Sequence, residues 1–148
     1  MKPLVLYYSK TGNTKKIAES MANELKAELR TVENAGDISR FDLICLGTPV
    51  YALAPAPEVK SFLEDVPGLE GKKVAAFCTL AGIGAKPTFN YIREAVEKKG
   101  ARLVATFACK CSSGIVAGLG PKVWRKGHPD EEDLEKAAKF AKGLPGLK

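Results

Sequence analysis

Five stretches of the chain are apolar with little alternation: Pro3–Tyr8, Leu29–Glu33, Phe41–Gly47, Lys73–Thr79 and Arg102–Cys109. Within them, Val5-Leu6, Leu43-Ile44-Cys45-Leu46 and Val74-Ala75-Ala76-Phe77 present no polar face. Runs of this kind predict parallel strands covered by helices on both sides, because a half-solvated strand would alternate. Between them the period changes to about 3.6 residues. Helices are predicted over Thr14–Leu29, Ala56–Asp65, Lys86–Lys99 and Asp130–Lys142, with apolar positions such as Ile17, Ala18, Met21, Ala22, Leu25 and Leu29 in the first and Leu134, Ala137, Ala138 and Ala141 in the last. Asn13 is placed to cap the first helix. Gly100 and Gly143 fall just past two helix ends. Pro129-Asp130-Glu131-Glu132-Asp133 opens the last helix with acids at its positive end, and Lys139 and Lys142 close it. Strands alternating with helices predict one α/β domain over residues 1–148, a doubly wound, three-layer parallel sheet of five strands. Ser112–Gly127 shows no period and is left as a turn or short strand extension.

Parallel α/β sheets bind ligands beyond the C-terminal ends of their strands, where the strand order reverses. The turns after the first, third and fourth strands, Ser9–Thr14, Thr48–Pro57 and Thr79–Lys86, are therefore expected to converge. The first is the most specific. An apolar run ends abruptly in Ser9-Lys10-Thr11-Gly12-Asn13-Thr14, and a helix starts at once. Hydroxyls, backbone N–H groups and a helix N-terminus then face one point, an arrangement suited to an anion and above all to phosphate.

Charge and composition narrow the classes further. The chain has 148 residues, 45% hydrophobic content and a net charge of +6, with 23 Lys and Arg spread along it rather than gathered with aromatics. That disfavours nucleic-acid binding. No run of about 18 apolar residues marks a membrane span, and Met1-Lys2-Pro3 leads directly into a strand, so a cytoplasmic location is expected. Four cysteines occur at 45, 78, 109 and 111. Cys45 and Cys78 lie in apolar runs and read as small hydrophobes. Cys109-Lys110-Cys111 admits either structural thiols or a redox or metal pair; a zinc site is poorly served by one histidine in the chain. His128 reads as a solvated or capping residue, and Trp124, among Lys122, Arg125 and Lys126, as a packing residue or an exposed anchor.

Ser9-Lys10-Thr11-Gly12-Asn13-Thr14 resembles the phosphate loop of the flavodoxin family, S/T-x-T-G-N-T, and Gly47-Thr48-Pro49-Val50-Tyr51 resembles its second flavin loop. The resemblance runs from Lys2 to about Lys142 and is of the short-chain type. It implies a 2-1-3-4-5 sheet, non-covalently bound FMN and electron transfer. On that basis the phosphate falls to Ser9, Lys10, Thr11, Gly12, Asn13 and Thr14, whose uncharged donors suit a dianion. The ring falls to Thr48, Pro49, Val50 and Tyr51, with Tyr51 as the stacking candidate. Thr79, Leu80, Ala81 and Gly82 would direct N–H groups at the ring carbonyls.

Two departures from the family carry expectations. The third loop has no aromatic before Phe89, and no Asp or Glu occurs from Thr48 to Pro57 or from Val74 to Tyr91. A reduced ring would meet little like charge, so a less depressed reduction potential is expected. The basic chain suits an acidic redox partner, ferredoxin-like in kind, with a monomer or weak dimer as the working state. An NAD(P)H-dependent reductase of quinones or small acceptors is the alternative. A receiver domain is disfavoured, because Ser9-Lys10 and Gly47-Thr48 stand where acids would be needed. A cysteine phosphatase lacks its arginine, since position 117 is Ala, and no Walker loop occurs.

Overall fold

A computed structural model describes residues 2–111 and 129–146. The expectations for Ser112–Gly127, Trp124 and His128 lie outside the described residues. The elements are β1 (Pro3–Tyr7), α1 (Asn13–Leu25), β2 (Glu28–Thr31), β3 (Leu43–Tyr51), β4 (Ala54–Pro55), α2 (Pro57–Asp65), β5 (Lys73–Leu80), α3 (Ala85–Lys98), β6 (Arg102–Lys110) and α4 (Glu131–Lys142), with a 3₁₀ turn at Val32–Asn34. The sheet order is β2-β1-β3-β5-β6, and all four of these pairings are parallel. Counting the parallel strands alone, this is the expected 2-1-3-4-5. The addition is β4, which turns back antiparallel on β3, Val50 facing Pro55 and Tyr51 facing Ala54.

Successive side chains of a strand point to opposite faces, and β1 shows the consequence. Leu4 and Leu6 pack into a cluster with Val59 and Leu63 of α2 and Ile92 and Val96 of α3. Val5 and Tyr7 pack into a second cluster with Ile17 and Met21 of α1 and Ala137 and Ala141 of α4. Each fully buried Leu, Ile or Val contributes about 1.5–3 kcal/mol relative to exposure. The central strands are thus covered on both sides, which is why their sequences lack alternation.

Two of the boundaries that differ from the sequence reading frame the first helix. The first helix ends at Leu25, because Lys26 turns left-handed at φ 53° and its N–H closes back on the Ala22 and Asn23 carbonyls. Leu29 therefore belongs to β2, beside Val5, and not to the helix. Asn13 is also not the cap. Gly12 holds that place at φ 96°, and Asn13 is already the first helical residue. Glycine reaches this backbone region at little steric cost, which an asparagine would feel more. The start of α4 is as expected: the Asp130 carboxylate accepts the Asp133 N–H at 2.9 Å, and the Asp133 carboxylate accepts the Asp130 N–H at 3.0 Å.

Candidate functional site

The first loop is shaped by its own polar atoms. The Ser9 hydroxyl accepts the Gly12 N–H at 3.0 Å, folding the loop into a tight turn. The Gly12 carbonyl then accepts the Lys16 N–H at 3.1 Å, closing the first turn of α1. An α-helix offers no intrahelical carbonyl to its first N–H groups, here those of Asn13, Thr14 and Lys15. The first turn of α1 contains no acid, so no side chain of that turn offsets the positive end of the helix dipole. A Cβ built on Gly12 meets no atom within 4 Å; backbone conformation, not space, restricts this position. The Thr14 hydroxyl, buried, lies 2.7 Å from that of Thr79 at the end of β5.

The second loop rises from β3 and returns through β4. Its two central residues, Ala52 and Leu53, sit at φ 50° and 66°. Two positive values in succession are the pattern of a type I′ hairpin turn. The Thr48 hydroxyl is fully buried, donates to the Pro49 carbonyl at 2.8 Å and accepts the Ala56 N–H at 3.0 Å. It fastens the base of the hairpin. The hairpin packs on the third loop at Gly84, where a Cβ would come within 2.8 Å of Val50 and 3.1 Å of the Leu53 side chain. Gly47 is tighter still, its absent Cβ filled by the Phe77 ring at 2.2 Å.

All three loops meet in one cleft of about 340 Å³. Lys10, Thr11, Asn13 and Thr14 form one end, Pro49, Val50 and Tyr51 one wall, and Thr79, Leu80 and Ala81 the other, with Cys111 also reaching it. Among the described residues lining it there is no carboxylate, and Lys10 is the cation. The nearest acid in effect is Glu58. Partial burial, then the Glu58 carboxylate, pushes the Tyr51 hydroxyl above its ordinary range, and the same two causes act on Tyr8. Among the described residues the exposed large hydrophobics are Tyr51, Leu53 and Ile83, all on the second and third loops.

Ten of the fourteen residues singled out in sequence line the cleft. Ser9, Gly12, Thr48 and Gly82 do not: the first three shape the loops, and Gly82 is exposed on the third loop. Two residues were missed. Glu58 lies one residue beyond the acid-free window and is returned toward the tyrosines by the start of α2. Cys111 is carried to the cleft because the ladder outlasts the apolar run, its N–H donating to the Leu80 carbonyl at 2.8 Å. Its position two after Cys109, on the same strand face, was the available signal.

Comparison with known proteins bears on the family and the fold. The family model described as Flavodoxin domain matches residues 4–114. An uncharacterized protein of Methanocaldococcus jannaschii is 32% identical over 97% of this chain and 98% of its own. The crystal structure of oxidised flavodoxin 2 from Bacillus cereus is similar at 28% identity and a TM-score of 0.71, covering 95% of both chains. A flavoprotein from Lactobacillus acidophilus, solved in complex with FMN, is similar at 26% identity and a TM-score of 0.64, covering 72% of this chain and 92% of that one.

Proposed function

The chain belongs to the flavodoxin family, and from that premise we propose that it holds FMN non-covalently in the cleft and carries electrons between redox proteins. The observation that carries the reading is the acid-free opening of α1, with its turned glycine and its hydroxyls, at the end of a cleft walled by two further loops. The N–H groups of the first turn, with the Thr11 and Asn13 side chains, would hold the phosphate. Lys10 adds charge from the rim. Tyr51, 38% exposed, would offer its face to the ring. Backbone N–H groups of Leu80 and Ala81 would meet the negative charge that arrives on reduction. The flavin supplies the redox chemistry; the side chains bind, orient and shield it. Support for FMN also comes from the L. acidophilus flavoprotein, which binds it on a similar fold.

Titration of the purified chain with FMN tests this reading. Quenched flavin fluorescence and a shifted visible band at micromolar FMN are expected; free-flavin emission throughout the titration overturns it. A second reading, an NAD(P)H-dependent reductase of small acceptors, draws on the third loop, where Leu80, Ala81 and Gly82 place no aromatic over the cleft. Steady oxidation of NADH or NADPH by the loaded chain alone would favour the reductase. Electron passage only with a reductase protein present favours the carrier.

A further inference from the structure

Cys109 and Cys111 stand two residues apart at the end of β6 and project to the same face of the sheet. Their Sγ atoms are 3.1 Å apart, about 1 Å more than the ~2.05 Å of a disulfide bond. Both are buried, with Cys109 4% and Cys111 1% exposed. Cys109 faces Thr79 in the parallel ladder, and Cys111 bonds to Leu80; both of these β5 residues line the cleft, as does Cys111. We propose that Cys109 and Cys111 form a reversible dithiol–disulfide couple that exchanges two electrons with the flavin in the cleft. This rests on the FMN reading above.

The other two thiols show what a merely structural cysteine looks like here. Burial pushes Cys45 up to about 12, and burial followed by the nearby Cys109 does the same to Cys78. Neither is among the residues that line the cleft. A thiol held neutral in apolar surroundings is inert, whereas a neighbouring sulfur supplies a partner for oxidation. In the oxidising direction two S–H bonds break and one S–S bond forms. Two electrons and two protons leave the pair, and the oxidised flavin ring accepts the electrons with the protons. In the reverse direction, electrons from the reduced ring break the S–S bond and two protons restore the thiols. A bridge spanning one intervening residue closes a very short loop and departs from relaxed disulfide geometry, which makes it readily reducible. That lability suits a couple that turns over rather than a structural staple.

Two measurements test the pair separately from FMN binding. In the FMN-free chain, the strong thiol oxidant diamide is expected to remove two of the four titratable thiols and lower the mass by about 2 Da, with peptide mapping placing the bond between 109 and 111. Retention of all four thiols overturns the proposal whether or not FMN binds. In the FMN-loaded, oxidised chain, anaerobic reductive titration is expected to take up about four electrons per chain, against about two for flavin alone. Cys109→Ala should bind FMN and fall to about two electrons, with Cys111→Ser as a second variant and Cys78→Ala keeping four. Uptake of two electrons by the unaltered loaded chain overturns the coupling to flavin. Failure to take up FMN overturns the cofactor reading and the coupling with it, and the thiol count still reports on the pair.

Discussion

Gly12 caps α1 and Gly47 lies within β3 just before the second loop, and the two resist substitution for opposite reasons. Gly12 has open space around it and a backbone at φ 96°. Gly12→Ala would force the loop out of that conformation at about 1 kcal/mol. We expect FMN affinity to fall about fivefold, measured by fluorescence titration, with the thermal midpoint falling by only a few degrees. Gly47 has an ordinary backbone but the Phe77 ring at 2.2 Å from any added Cβ. Phe77 is fully buried and cannot swing aside. Gly47→Ala should therefore cost about 1–3 kcal/mol of stability, read by chemical denaturation. A variant with unchanged denaturation midpoint would contradict this packing.

Among the elements, the β3–β4 hairpin is built on unfavourable residues. Asn-Gly is the pair that suits a type I′ turn, yet Ala52-Leu53 occupies it. Replacing both, Ala52→Asn with Leu53→Gly, is expected to raise stability by about 1 kcal/mol, seen as a higher denaturant midpoint. The same mismatch explains why the hairpin was illegible in sequence: neither Asn-Gly nor Asp-Gly announces it, and the strand read as ending at Gly47 in fact continues past Pro49 to Tyr51. Elements with matching local chemistry were legible. The acids from Asp130 gave the start of α4, and the covered faces of β1, β3 and β5 gave the parallel sheet. The three loops could be read as convergent from strand polarity alone, but not which way Thr48 would turn its hydroxyl. At the sheet edge, Arg30 and Arg40 bond to the Glu28 carboxylate of β2 at 2.7 and 2.6 Å. These hydrogen bonds, Arg30 first, hold its carboxyl below the usual range. The stability it adds is present above the ordinary glutamate value of about 4.3 and is lost as pH falls through the lowered folded value. Glu28→Gln should thus be less stable than the unaltered chain near neutrality, and the difference should close at acid pH. Denaturation midpoints measured across that range check the sign.

The whole molecule carries a net charge of +6; Lys10 and Tyr51 line its cleft, and Leu53 and Ile83 are exposed on the second and third loops. On the proposed carrier role, a basic body would favour an acidic redox partner. Electron transfer to such a protein is expected to slow about tenfold between roughly 0.05 and 0.5 M salt, followed by stopped-flow absorbance. A rate that rises with salt would point to a basic partner. Among the described residues no helix is long and apolar enough to cross a membrane.

The paired hydroxyls of Thr14 and Thr79 join positions 65 residues apart in the chain. One belongs to the first crossover of the fold and the other to β5, between β3 and β6 in the other half of the sheet. A molecule long enough to touch both ends of the groove would act as a stitch between regions that covalent connectivity leaves distant. Filling the groove should then tighten the two halves together, and the folded form would gain resistance to melting in step with the concentration of what fills it.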